Sequence, residues 1–232
     1  MPSKTSKNCC TTECPPLEGV QMPLSPRPLL IASLGNPGST YAHTLHSAGH
    51  TLIGAVAQQL GFTSFQKSPS LGKAPVSRPH PSSSTWPNGA SDWTLWQSPS
   101  LMNISGRGLS QAFRAWQNGE GASESTKSDV AQLRKERGLL ILLHDDLDLP
   151  LGQLKIRRGD SSARGQNGVK SAQGNMWGTP FHRIAIGIGR PVSRTSGDVS
   201  QWVLRKMTRE ERERVEGRAQ ECVELLKSLE RK

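Results

Sequence analysis

Long apolar runs are missing from this 232-residue chain. Its two richest stretches, Leu29 to Leu34 and Leu139 to Leu143, fall far short of the roughly 20 apolar residues a membrane-crossing helix needs, so no transmembrane span and no membrane partner are expected. Cysteine is scarce as well. Of four, Cys9, Cys10 and Cys14 crowd the N-terminus and Cys222 stands alone. That distribution offers no disulfide framework and fits a reducing, intracellular compartment. The Cys-Cys-x3-Cys cluster lacks a second ligand pair at metal-finger spacing and reads as incidental thiols. Acidic residues are few, 19 against 29 lysines and arginines, for a net charge of +10 and a pI of about 9.9. A field of that sign favours a polyanion such as nucleic acid. Hydrophobic residues make up 34%, just under the usual globular range even with the glycines added, so part of the chain is expected to be unpacked.

Residues 1 to 27 carry Pro15, Pro16, Pro23 and Pro26 among many Ser, Thr and Lys, with no apolar h-region; they read as a disordered leader rather than a secretory signal. Glu13 and Glu18 with few arginines make a poor mitochondrial presequence, yet both the cytoplasm and the mitochondrion stay open. A single domain is expected over 28–232. It opens with a buried strand at Leu29–Leu34, a turn Gly35-Asn36-Pro37-Gly38, and a helix from Ala48 on which Leu52, Ile53, Val56 and Leu60 recur before Gly61. Residues 68–91 hold seven Ser and five Pro in 24 positions and are expected to be a polar insertion loop. A strand at Trp93–Trp96 and an amphipathic helix through Leu109, Ala112, Phe113 and Trp116 follow. A second polar insertion spans 117–128, running into a short helix through Leu133.

Leu139–Leu143 reads as the central strand, ending in the polar run His144-Asp145-Asp146-Leu147-Asp148. Gln153–Arg157 and Arg183–Ile188 alternate like further strands, and Thr208-x-x-Glu211 is a capping box for a last helix with Val215, Ala219, Cys222, Leu226 and Leu229 on one stripe. This order of strands and helices is that of an α/β domain.

His46, at a helix start after a glycine-containing turn, could act as general base, although a lone histidine there is ordinarily a surface residue. Asp145, Asp146 and Asp148 could bind Mg²⁺ or orient a histidine, or form a solvated turn. Asn36, Asn103 and Asn167 each sit in a Gly- or Ser-containing turn, where an amide can hold a ligand or simply favour the turn. Lys155, Arg157, Arg158, Arg164, Lys170, Arg183 and Arg190 concentrate positive charge after the acidic run, as a phosphate-binding surface would.

In order, the chain carries Leu34-Gly35-Asn36-Pro37-Gly38, Tyr41-Ala42-x-Thr44-x-His46-x-Ala48-Gly49, Met102-Asn103-x-Ser105-Gly106, His144-Asp145-x-Leu147-Asp148-Leu149-Pro150-x-Gly152, Gly165-x-Asn167-Gly168-x-Lys170-Ser171 and Phe181-His182-Arg183-Ile184-x-Ile186-Gly187-Ile188-Gly189-Arg190-Pro191. Over roughly Leu29 to Leu229 this resembles the bacterial-type peptidyl-tRNA hydrolase family, with two polar loops like eukaryotic additions. The resemblance implies a single α/β domain, phosphorylase/hydrolase-like, with a mixed twisted sheet flanked by helices. It implies hydrolysis of the ester joining a peptide to the 3′ end of tRNA, recycling the tRNA, without metal or organic cofactor; a monomer is expected. His46 and Asp145 match the family's catalytic histidine and its partner aspartate. Asn36, Asn103 and Asn167, with Tyr41, match substrate-positioning residues, and Lys155, Arg157 and Arg183 are expected at tRNA phosphates. The chain departs from the family pattern at Leu45 and Ser47, where Arg and Asn are usual, and at Gln166, where His is usual. Two other readings compete: a non-catalytic RNA-binding relative on the same fold, and a metal-dependent hydrolase built on the Asp145 cluster.

Overall fold

The computed structural model describes residues 26–80 and 92–232. Continuous apolar runs put four parallel strands, covered on both faces, at the centre of one sheet. β1 (Leu29–Ser33) pairs in parallel with β4 (Trp93–Gln97) on one side and β5 (Leu139–Asp146) on the other. β5 pairs in parallel with β7 (Phe181–Gly187), and β6 (Leu154–Arg158) closes that edge antiparallel to β7. At the opposite edge β2 (Gln66–Ser68) and β3 (Ala74–Ser77) form an antiparallel hairpin on β4, giving the order β2-β3-β4-β1-β5-β7-β6.

Successive side chains of a strand point to opposite faces, and the core divides accordingly. Leu29, Ile31, Ile141, Leu143, Ile184 and Ile186 face α1 (Ala48–Gln59), α6 (Arg209–Glu216) and α7 (Ala219–Glu230). Leu30, Ala32, Trp96, Leu140 and Leu142 face α2 (Ser105–Gln117) and α4 (Asn167–Asn175). Gly49 lets α1 approach the sheet: a Cβ there would sit 2.7 Å from the Leu34 carbonyl oxygen and 2.8 Å from that of Leu143. Gly106 does the same between α2 and α4, where a Cβ would strike the Ser171 carbonyl.

Three expectations are corrected, and one helix is added. The insertion expected as a loop over 68–91 is partly sheet: Leu71 and Ala74 are fully buried, and the Trp96 indole donates to the Leu71 carbonyl at 3.1 Å. Alternating Ala74 and Val76 supply the inward face that the Ser and Pro count obscured; residues 81–91 lie outside the described residues, as does the expected leader except for Pro26 and Arg27. The helix expected to end at Leu133 runs as α3 over Lys127–Arg137. In it Leu133 is exposed while Arg134 is buried, its guanidinium over the Trp116 ring and donating to the carbonyls of Trp116 and Glu120. The single last helix is two, α6 and α7, separated at Gly217–Arg218, and the capping box of Thr208 and Glu211 starts α6. α5 (Ser196–Leu204), capped by Thr195 on the Asp198 amide, was not anticipated; it buries no residue fully, and its short stripe of Val199, Trp202 and Val203 packs only partly against the core.

Candidate active site

Chain leaving β1 turns towards β4, whereas chain leaving β5 turns towards β6 and β7, so a crevice opens beyond the carboxyl ends of β1 and β5. Open α/β sheets place ligands at such a divergence. Here it is a cavity of about 500 Å³, lined by Asn36, Tyr41, His46, Asn103, Asp145, Gln166 and Asn167, with Val199, Ser200 and Val203 of α5 forming one wall.

A single 3-10 turn, Leu45–Ser47, delivers His46. Leu45 is buried in the core beneath it, and the Ser47 hydroxyl accepts from Thr44 at 3.1 Å. The two departures flanking the histidine thus point inward and fix the turn, while the imidazole points into the cavity. β5 runs three residues beyond its expected end, through Asp146, because its polar tail is buried rather than solvated. That extension brings Asp145 Oδ2 to 2.9 Å from His46 Nδ1, although 99 residues separate them in sequence. Gln166 Nε2 donates to the other carboxylate oxygen at 2.8 Å, while its Oε1 accepts from the Val169 amide and caps α4.

Burial alone would favour the neutral ring of His46, but the charge of Asp145 and the hydrogen bond to it outweigh this, and the pKa stands above the ordinary 6.5. Burial likewise opposes ionisation of Asp145. The charge and hydrogen bond of His46, then the Gln166 amide, overcome it and hold the carboxyl below its usual range. The pair is therefore a carboxylate oriented on an imidazole whose Nε2 carries no protein hydrogen bond among the described residues. His144 next door is different: burial lowers its pKa to about 4, and its Nδ1–H donates to the Asp145 carbonyl.

Asn36 Oδ1 accepts from the Met102 amide at 2.8 Å, which ties the turn after β1 to the 3-10 turn Met102–Ile104 and leaves its NH₂ group for the cavity. Asn103 and Asn167 stand exposed at the rim, Asn167 as the first residue of α4. Of the expected phosphate contacts only Lys155 is exposed on its strand. Arg183 is corrected: it is 1% exposed, with Nε donating to the Arg158 carbonyl and Nη2 to those of Ser161 and Ser162, so no phosphate can reach it. Arg157 is corrected too, since it lies largely buried against Asp146 at 2.9 Å. The acidic cluster does not converge as a metal site requires. Asp145 is held by His46 and Gln166, Asp146 by Arg157 and the Asp148 amide, and Asp148 by Arg164 and Arg190.

Gln166 and the α5 wall are the site features that the sequence reading did not place. Gln166 sits between Gly165 and Asn167, and only the N-cap position before a helical run could have signalled it.

Known proteins share this arrangement of chain. The sequence profile of the family described as Peptidyl-tRNA hydrolase matches residues 30–232. A Schizosaccharomyces pombe protein named "Probable peptidyl-tRNA hydrolase" is 32% identical over 81% of this chain and 75% of its own length. The peptidyl-tRNA hydrolase of Citrifermentans bemidjiense is 31% identical over 78% and 80%. Among solved structures, the Acinetobacter baumannii peptidyl-tRNA hydrolase superposes with a TM-score of 0.60 at 26% identity, over 87% of each chain. The chain belongs to the peptidyl-tRNA hydrolase family, a family of ester hydrolases.

Proposed function

We propose that the chain cleaves the ester between peptide and tRNA with His46 as general base, and the observation that carries this is the His46–Asp145 contact of 2.9 Å at the cavity wall. An ester is already an activated acyl group, so a positioned water and one base suffice. Water attacks the ester carbonyl carbon and gives its proton to His46 Nε2. Asp145 keeps the other ring proton on Nδ1 and stabilises the imidazolium. Collapse of the tetrahedral adduct breaks the bond to the ribose oxygen, which takes the proton from His46, leaving a free peptide carboxylic acid and tRNA.

Asn36, Asn103 and Asn167, with Tyr41, hold the peptide end and the water in line, an effect of orientation that reduces the barrier without new chemistry. Arg164 and Arg190 share the single carboxylate of Asp148 at the cavity mouth, so positive charge is left over for phosphate. Lys155 adds a further exposed cation on β6. The protein acts as a monomer, wherever ribosomes supply its substrate, in the cytoplasm or the mitochondrion. A non-catalytic RNA-binding role would need neither His46 nor Asp145 aligned. Release of peptide from a purified N-blocked aminoacyl-tRNA, with His46→Ala as control, tests the proposal.

A further inference from the structure

Below the reaction cavity lies a second and larger groove, of about 810 Å³, that nothing above assigns. The two meet at Ser162, which lines both. Its walls are the segment after β6 and the turn after α4, and the first is pinned. Arg183 holds the carbonyls of Arg158, Ser161 and Ser162 from beneath, and Gln173 donates to the carbonyls of Gly159 and Ser161 at 2.7 Å. That wall of the groove is preformed.

Trp177 stands on its rim with 89% of its surface in water, the most exposed aromatic residue among those described. A tryptophan left in this position has an apolar face with nothing on it. Arg158 lines the same groove, and burial together with the charges of Lys232, Arg27 and Arg158 pushes the pKa of His182, in the groove wall, down. Among the described residues Arg158 is paired only with Asp160, and both are largely exposed, 78% and 66%. An exposed pair of this kind is weak enough to be exchanged for a phosphate.

An open aromatic face and an arginine in one groove, continuous with the reaction cavity, are chemistry suited to nucleic acid: the ring stacks on a base and the arginine meets the backbone. A peptide would gain from the ring but not from the charge. From Asn167 at the cavity to Trp177 the chain runs down α4 and one turn, about 15 Å at the rise of an α-helix. We propose that this groove is a second docking surface for the tRNA, in which Trp177 stacks on a nucleotide removed from the reacting 3′ end and Arg158 leaves Asp160 for a phosphate. The proposal rests on peptidyl-tRNA being the substrate.

The test compares two esters of one N-acetylated amino acid, carried by full-length tRNA or by the short 3′-terminal oligonucleotide alone. For Trp177→Ala, KM for the full-length substrate rises about 5- to 100-fold, the range for loss of one stacked base, with kcat and the short substrate unchanged. Trp177→Phe keeps most of the affinity. An unchanged KM, or an equal loss on both substrates, overturns the proposal. Should the wild-type protein hydrolyse neither ester, the catalytic reading fails separately. Binding of deacylated tRNA then decides the groove: weaker binding by Trp177→Ala supports it and equal binding overturns it.

Discussion

The side-chain amide of Gln166 donates to Asp145 Oδ1 at 2.8 Å and, through its oxygen, caps the helix that begins at Asn167. One residue thus joins the carboxylate bonded to His46 to the helix whose first residue, Asn167, lines the cavity. Gln166→Ala removes a hydrogen bond to a charged group, worth about 1.5–3 kcal/mol, together with an N-cap worth about 1 kcal/mol. We expect a lower melting temperature and a fall in kcat. Because the amide draws charge from the carboxylate, its loss strengthens the pull on the imidazole, and the acidic limb of the kcat/KM profile moves to higher pH. A profile identical to wild type would show that the amide is only a cap.

His46 must be neutral to accept a proton, and its pKa is raised by Asp145 against the effect of burial. Activity is therefore expected to climb with pH through a pKa above 6.5. In Asp145→Asn the charge that raises it is gone and burial remains, so the limb moves to lower pH while kcat falls by roughly 100-fold or more, because the ring is no longer held in the productive tautomer. A kcat/KM profile measured from pH 5 to 9 checks both shifts.

His144 is buried and His50 half-buried, both neutral, each with a pKa lowered to about 4 by desolvation, and the ring of His50 is bonded to Ser33 Oγ at 2.7 Å. In the unfolded chain both would take up protons near pH 6.5, which the folded chain does only near pH 4. Stability is thus full above the unfolded pKa and lost as pH falls from about 6.5 towards 4, by roughly 3 kcal/mol per histidine. Melting temperature measured across that interval should drop steeply, and His50→Gln should flatten the slope.

Arg183 and Lys155 separate structure from binding. Arg183→Ala removes three hydrogen bonds to carbonyls, leaves that of Ser162 without its donor beside a buried void, and is expected to cost several kcal/mol of stability, read by denaturant unfolding. Lys155→Ala should leave stability unchanged and lower the salt slope of tRNA binding by about one unit, since one fewer counterion is released. A slope unaltered in Lys155→Ala would mean that this lysine is merely solvated.

The edge hairpin is structural. Leu71→Ala is expected to destabilise by about 2–5 kcal/mol, because the side chain is fully buried against Trp96 and α2. Replacing 68–80 by a flexible linker should lower the melting temperature by at least as much.

Central strands were legible because burial on both faces writes itself as continuous apolar runs, as in Leu29–Ser33 and Leu139–Leu143. The dyad was legible as a pair of motif positions, His46 and Asp145. The continuation of β5 through Asp146 was not, since polar residues buried by His46, Gln166 and Arg157 look in sequence like a turn. Arg183 misled for the same reason: an arginine satisfied by backbone carbonyls is indistinguishable in sequence from one that faces phosphate. α5 and the hairpin strands escaped because the former offers only a short, partly buried apolar stripe and the latter are three and four residues long within a Ser- and Pro-rich stretch.

The central claim is that His46, oriented by Asp145, activates water on the ester of peptidyl-tRNA. Single-turnover release of peptide from an N-blocked aminoacyl-tRNA, run beside tRNA binding for wild type and His46→Ala, tests it most directly. The account predicts a loss of at least ~100-fold in turnover with binding intact, the scale of a general base; near-normal turnover in His46→Ala would contradict it.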